Sequence, residues 1–466
     1  MRLSYHRFTL YVFNWILCEL AVAFWYATLG YNICVLSLKY LSVMPVAQEL
    51  PTEVLYSIFE LNARRISPGT SLSTNSTFTD MQSCSLPSLR EISLHCITLA
   101  HVCARWRDVA IGLQSLWGQF YLGRNAFHED FISTTHDFLS RSSIHSLYLD
   151  ITIDDPSFSS SSTITRLAKN ISTVLHTHVG RCHTLRLHGS DLIVTAVLDV
   201  FMEYNLPSSP LHPSSRHSPL SHLHIIQTIQ TRRHSTFPTD LSLVAPQLTF
   251  LRVERAAIST FPRWHLHSVA LIDTFLPYHS HFHLLHQSSS KTLLFDKVLI
   301  PGGLPYVWRL LEQPASPITS LTLSRLQCAR AYEDKIGEDE QTEIYAMFFT
   351  LTIFHTLREL EIAELDAAAL GGFLAMLRAN PPVAFVDLRR LTLRCVDITI
   401  KRGTVSLAMA LVHAFPGVSE VVLDNVAGGE VLVGLWKSSS MIQYGSQIWS
   451  RLEEIMVDGC VVQKVL

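Results

Sequence analysis

The chain has 466 residues, a formal net charge of −3, 48% hydrophobic residues and 16% charged ones. That length allows about two to three domains with a large core, and the charge excludes the basic excess by which a protein holds nucleic acid through its phosphates. The nine cysteines are scattered and never form a Cys-x-x-Cys pair, the pattern of reduced, mostly buried thiols in an intracellular protein rather than a disulfide framework.

Residues 1–44 read as a hydrophobic N-terminal segment. Phe8 to Leu38 is apolar apart from Glu19 and a few polar residues, long enough to cross a bilayer as one helix. Arg2 and Arg7 before it and Lys39 after it would leave the N-terminus in the cytosol and carry the rest of the chain across. Glu19, Asn14 and Asn32 each penalise insertion, and the run is too long for a signal peptide and lacks a small-residue cleavage site. Three readings stay open: a membrane anchor, a helix packed on the protein, or a start region outside the true product.

Two apolar helical blocks follow within 45–122. In the first, Leu50-Pro51 opens a helix, since proline suits the first turn, and Val54, Leu55, Ile58 and Phe59 fall on one face. In the second, Leu99, Val102, Cys103, Trp106 and Ala110 recur at helical spacing, with Arg105, Arg107 and Asp108 on the other side. Ser115-Leu116-Trp117 closes the module. Residues 62–91 between the blocks, rich in Ser, Thr, Pro and Gly, read as a flexible insertion that phosphorylation could reach. A unit this short cannot bury a core of its own, so its apolar faces need covering by something larger.

At these residues the chain resembles the F-box family, whose pattern is Leu-Pro-x-Glu-Val-Leu-x-x-Ile-Phe, then Leu-x-x-Val-Cys-x-x-Trp-Arg, then Leu-Trp. The long insertion departs from the compact form of that family and is similar to fungal F-box-like members.

From 123 to 466 the unit changes to an amphipathic helix followed by a short Leu-x-Leu strand. The expected strands begin at Leu147, Leu185, Leu223, Leu251, Val269, Leu293, Leu321, Leu360, Leu391, Val421 and Ile455, 18 to 39 positions apart. Helices are expected over Thr163 to Val179, Leu192 to Tyr204, Thr342 to Thr356, Asp366 to Ala379 and Thr404 to Phe415. This alternation, with no Gly-rich nucleotide turn, predicts a mixed α/β fold of parallel strands stacked along a curved axis. Leu357 to Ile362 and Leu388 to Leu393 resemble leucine-rich repeats in the Leu-x-x-Leu-x-Leu sense. The Asn or Cys usual after the strand is mostly missing, with Cys395 and Asn425 nearest to it. The expected architecture is therefore a helical F-box followed by a leucine-rich-repeat-like solenoid. Pro207 to Pro219 and the acidic Glu333 to Glu343 read as solvated loops leaving it.

His279, His281 and His283 would share one face of an extended run, with His286 close behind, yet no Cys or acidic side chain nearby completes a tetrahedral zinc set. The acidic run lacks the alternating ligands and central glycine of a calcium loop. No nucleophile elbow, His-Glu-x-x-His, Walker loop or dinucleotide fingerprint occurs, so neither an enzyme nor a cofactor is expected. Asn75-Ser76-Thr77 and Asn170-Ile171-Ser172 match the glycosylation acceptor pattern, which matters only in the secretory lumen.

The resemblance implies a non-catalytic, cytoplasmic or nuclear substrate-recognition subunit of an SCF-type cullin-RING ubiquitin ligase. Adaptor contact would then fall to Leu50, Pro51, Val54, Leu55, Ile58, Phe59, Leu99, Val102, Cys103 and Trp106, against a Skp-type adaptor joined to the cullin. The solenoid would hold an unknown target protein, and 8–38 could add a membrane anchor. The rival is a structural or membrane-tethered scaffold whose box packs on its own solenoid.

Overall fold

The computed structural model describes residues 51–57, 59, 100, 103–153, 161–206, 218–228, 236–237, 241–258, 266–274, 290–301, 318–325, 327–329, 356–365, 370–371, 374, 387–399, 401–402, 405–439 and 451–462. The chain divides into two compact units, Met1–Leu72 with Leu94–Leu116, and Ser73–Ser93 with Trp117–Leu466.

The larger unit is mixed α/β and is built on one thirteen-stranded sheet whose strands follow chain order. They are β1 (Gln119–Gly123), β2 (Leu147–Thr152), β3 (Cys182–Gly189), β4 (His222–Gln227), β5 (Phe250–Glu254), β6 (Ser268–Ile272), β7 (Thr292–Asp296), β8 (Ser320–Ser324), β9 (Glu359–Ala363), β10 (Arg390–Arg394), β11 (Glu420–Asp424), β12 (Glu454–Val457) and β13 (Cys460–Val462). Neighbours from β1 to β12 pair in parallel, and β13 turns back antiparallel on β12. Every Leu-x-Leu triplet expected from the sequence lies in one of the strands β2 to β12. β1 and β13 lack the triplet, and β1 starts inside the stretch assigned to the helical module.

Register explains the periodicity. Leu185, Leu223, Leu251, Val269, Leu293, Leu321, Leu360, Leu391, Val421 and Ile455 stand directly beside one another on successive strands. The first triplet is offset by two, because Leu149 rather than Leu147 pairs with Leu185. All of these residues are buried, as are the apolar residues two positions on as far as Leu423. A third row lies three positions earlier, where Leu220, Leu248, Leu266, Ile318, Leu357, Leu388 and Val418 are also buried. Side chains alternate along a strand, so a fixed register keeps one face apolar for the length of the sheet.

Each strand from β5 to β11 is followed by a residue with positive φ: Arg255, Asp273, Lys297, Arg325, Glu364, Cys395 and Asn425, at φ from 47° to 59°. The left-handed turn aims the N–H at the next repeat. Arg255 donates to the Ile272 carbonyl at 2.9 Å, Asp273 to Asp296 at 2.7 Å, and Lys297 to Ser324 at 3.0 Å. The following residue then enters the core, as Ala256, Val298, Leu365 and Val396 do. Cys395 and Asn425, the two residues singled out in the sequence, both occupy this position.

Among the described residues the α-helices are α1 (Ala104–Gly112), α2 (Ile132–Arg141), α3 (Ser161–Leu175), α4 (Asp191–Asn205), α5 (Leu241–Val244), α6 (Leu407–Ala414) and α7 (Gly429–Ser439), and three two-stranded sheets occur besides the large one. α3 and α4 answer the helices expected at 163–179 and 192–204. α3 stops at Leu175 and the chain tightens into a short 3-10 turn, Val179–Arg181. α6 starts later than expected because Val405–Ser406 pairs antiparallel with Lys401–Arg402. Only Leu370, Gly371 and Leu374 of the helix expected at 366–379 are described, all helical, and the one expected at 342–356 lies almost wholly outside the described residues.

Among the described residues no helix is long and apolar enough to cross a membrane; Phe8 to Leu38 lies outside them. So do 62–91, the acidic loop and His279 to His286. Ser218, at the end of the expected Pro207 to Pro219 loop, is buried rather than solvated and donates its N–H to Asn205 Oδ1 at 2.7 Å.

Candidate adaptor-binding site

The described part of the smaller unit comprises helical residues 52–57 and 59, Ala100, and Cys103 to Leu116 with α1. Its geometry follows from the residues that start each helix. Pro51 offers its carbonyl to the N–H groups of Val54 (3.0 Å) and Leu55 (3.1 Å). Cys103 is the N-cap of α1, in extended conformation, and its Sγ accepts from the Trp106 N–H at 3.4 Å. Thiol is a weak acceptor, so this cap is softer than the usual serine or aspartate.

Two contacts hold the helices together. Arg105 donates to Thr52 Oγ1 at 3.0 Å, and Phe59 meets Trp106 edge to face with ring centroids 5.3 Å apart.

The expected contact residues separate by burial. Pro51 is exposed, and Val54 and Cys103 are half-buried. Leu55 and Phe59 are fully enclosed and Trp106 is 7% exposed. Phe59 and Trp106 cover one another through the ring contact just described. Leu50, Ile58, Leu99 and Val102 lie outside the described residues. Sequence reading missed two exposed side chains, Tyr56 at 37% and Ile111 at 40%. Tyr56 could have been suspected, because it falls beside Val54 and Leu55 but off their stripe. Its hydroxyl sits 2.8 Å from where a Cβ on Gly112 would stand, so glycine admits it.

Trp117 belongs to the larger unit, where it is fully buried, stacked on Phe138 at 5.8 Å, and covered by the Arg141 guanidinium 4.8 Å from the ring centre.

The sheet's other face carries polar residues. Across β2 to β5 the rings of Tyr148, His183, His222 and Phe250 follow one another at 6.1, 5.6 and 5.7 Å. Burial lowers the pKa of both histidines. In the next rows Arg186 reaches Asp150 at 3.3 Å, and Glu254 takes Arg252 at 2.7 Å and His224 at 3.0 Å. Burial alone would raise the Glu254 carboxyl, but the His224 hydrogen bond and the Arg252 charge outweigh it and hold the pKa at about 2. Toward the C-terminus Arg325 joins Asp296 to Glu364, Arg390 pairs with Glu420, and Arg394 joins Glu361 to Asp424. Burial pushes the Glu361 carboxyl up against the pull of Arg394.

No group of three or more metal-ligating side chains occurs among the described residues. Of the cysteines whose burial is described, Cys182 is buried, Cys103 half-buried, and Cys395 and Cys460 exposed. Cys395 follows β10 in the left-handed turn, and Cys460 opens β13 at the edge of the sheet. The Asn170 side-chain amide donates to the Phe127 carbonyl at 3.0 Å, which ties up the nitrogen a glycan would need. No protein-family model matches the chain, and no curated protein matches it.

Proposed function

We propose that the chain is a non-catalytic substrate-recognition subunit of an SCF-type ubiquitin ligase, with an F-box-like module for a Skp-type adaptor and a leucine-rich-repeat-like sheet for a target protein. The observation that carries this reading is the pair of short helices clipped by Arg105 to Thr52 and Phe59 to Trp106, which leaves Pro51, Tyr56 and Ile111 exposed and Val54 half-buried. The repeat reading is supported by the in-register Leu-x-x-Leu-x-Leu rows and the recurring left-handed turn after each strand. Transfer in such a complex is by proximity: holding target lysines near a charged ubiquitin carrier raises their effective concentration, and this chain needs no reactive group.

Capture of the full chain on an immobilised Skp-type adaptor tests the module. Pro51→Ala combined with Val54→Asp is expected to weaken capture by about tenfold or more, since charge enters a half-buried position between exposed Pro51 and Tyr56 while Phe59 and Trp106 themselves are unchanged. Undiminished capture sinks the interface. The burial of Leu55, Phe59 and Trp106 favours a second reading, a scaffold whose box serves only internal packing, and that result would select it.

A further inference from the structure

At the C-terminal end of the sheet's polar face, three apolar residues stand in one row. Val422 pairs with Met456, and Met456 with Val461. Val422 and Met456 are half-buried, and Val461, on the last strand, is 55% exposed. One row to one side, Glu420 lies directly opposite Glu454. On the other side stand Asp424 and Asp458, the latter held in place by the Asn425 N–H at 2.8 Å.

Like charges opposite one another on paired strands are unfavourable. Two guanidiniums compensate only part of this rim: Arg390 lies 3.3 Å from Glu420, and Arg394 lies 3.4 Å from Asp424 but is closer, at 2.5 Å, to Glu361. Glu454 has no basic partner among the described residues. An apolar stripe thus runs between two rows of excess carboxylate.

We infer that this stripe docks an extended segment of a partner protein with the pattern basic-x-apolar-x-basic. An extended chain rises about 3.3 Å per residue, so side chains at i, i+2 and i+4 reach the glutamate row, the stripe and the aspartate row of a strand running alongside. Lysine or arginine at the outer positions supplies the charge that the rim lacks. A bulky central side chain covers Val461. The inference rests on the proposed function only in taking this segment as the target's; the binding itself does not depend on the adaptor.

The test is fluorescence anisotropy of a short labelled peptide containing Lys-Ser-Phe-Ser-Lys, titrated with the full chain. Binding should weaken with added salt, fail for the Glu-Ser-Phe-Ser-Glu peptide, and fall by about tenfold or more in Glu454→Lys and in Val461→Asp. Circular dichroism checks folding; should Val461→Asp not fold, Glu454→Gln carries the test with a smaller loss of the same sign. Equal affinity for the two peptides, or no effect of the variants, overturns the inference. So does a dimer of the chain that Val461→Asp dissociates, which would make a second copy the occupant. Adaptor capture by Glu454→Lys should equal wild type. Undiminished capture in the Pro51 and Val54 variant with peptide binding intact would sink the ligase reading alone.

Discussion

Single residues with positive φ close seven successive repeats, and none of them is glycine. An L-residue pays roughly 1 kcal/mol in that region, more if it is β-branched. The turn is retained because the backbone N–H it directs at the next strand would otherwise lose its partner. At Lys297 the balance can be read directly. Lys297→Gly is expected to be neutral or stabilising by up to about 1 kcal/mol, its gain offset by greater freedom of the unfolded chain, whereas Lys297→Val should cost about 1 to 2 kcal/mol. Urea unfolding midpoints of the two variants check the order. Apart from Cys395 and Asn425, these positions were illegible in the sequence, because Arg, Asp, Lys and Glu have no shared chemistry there and only the backbone conformation unites them.

A contact between elements sets the pH response. Arg181 closes the C-terminal end of α2, donating to the Leu139 carbonyl at 3.1 Å, Ser142 Oγ at 2.8 Å and the Ser143 carbonyl. It also donates to His178 Nδ1 at 2.8 Å, which places the imidazole proton on Nε2, an atom without a partner among the described residues. His178 is 3% exposed and its ring lies 5.0 Å from that of His136. Burial first, then the Arg181 charge and His136, lowers its pKa from 6.5 to about 4. The unfolded chain therefore binds this proton more readily than the folded one. Stability should fall as pH drops from 6.5 toward 4, by on the order of 3 kcal/mol once the folded state is protonated. His178→Gln should flatten the profile of urea midpoints in that window; an unchanged slope would show that the clamp does not titrate.

Across the whole sheet, each strand from β2 to β12 touches only its sequence neighbours, so stability is a sum of repeats and of contacts between adjacent repeats. A change in one buried row is felt on both sides. Leu391, between Leu360 and Val421, is fully enclosed, and Leu391→Ala should cost about 2 to 5 kcal/mol. Thr392→Ala, next in the strand but on the polar face, should stay within about 0.5 kcal/mol. Native-state hydrogen exchange should place the loosened amides of Leu391→Ala in β9, β10 and β11 first; uniform loosening would argue against the additive picture.

The sequence by itself determined the strands β2 to β12 and their order. A two-residue alternation of Leu, Val and Ile, repeated at intervals long enough for a crossover, has one way to bury every apolar side chain, and Leu-x-Leu marks it at each repeat. It also marked the cores of α3, α4 and α6, whose apolar stripes are local. Only tertiary structure decided which members of the helical module face solvent, because Leu55, Phe59 and Trp106 look the same in a periodic pattern as Val54. Burial depends on what lies opposite, and for Phe59 that is Trp106 from a segment more than forty residues away. The same reason hid the Val461 stripe: neither its exposure nor the carboxylates flanking it exist until β11, β12 and β13 lie side by side.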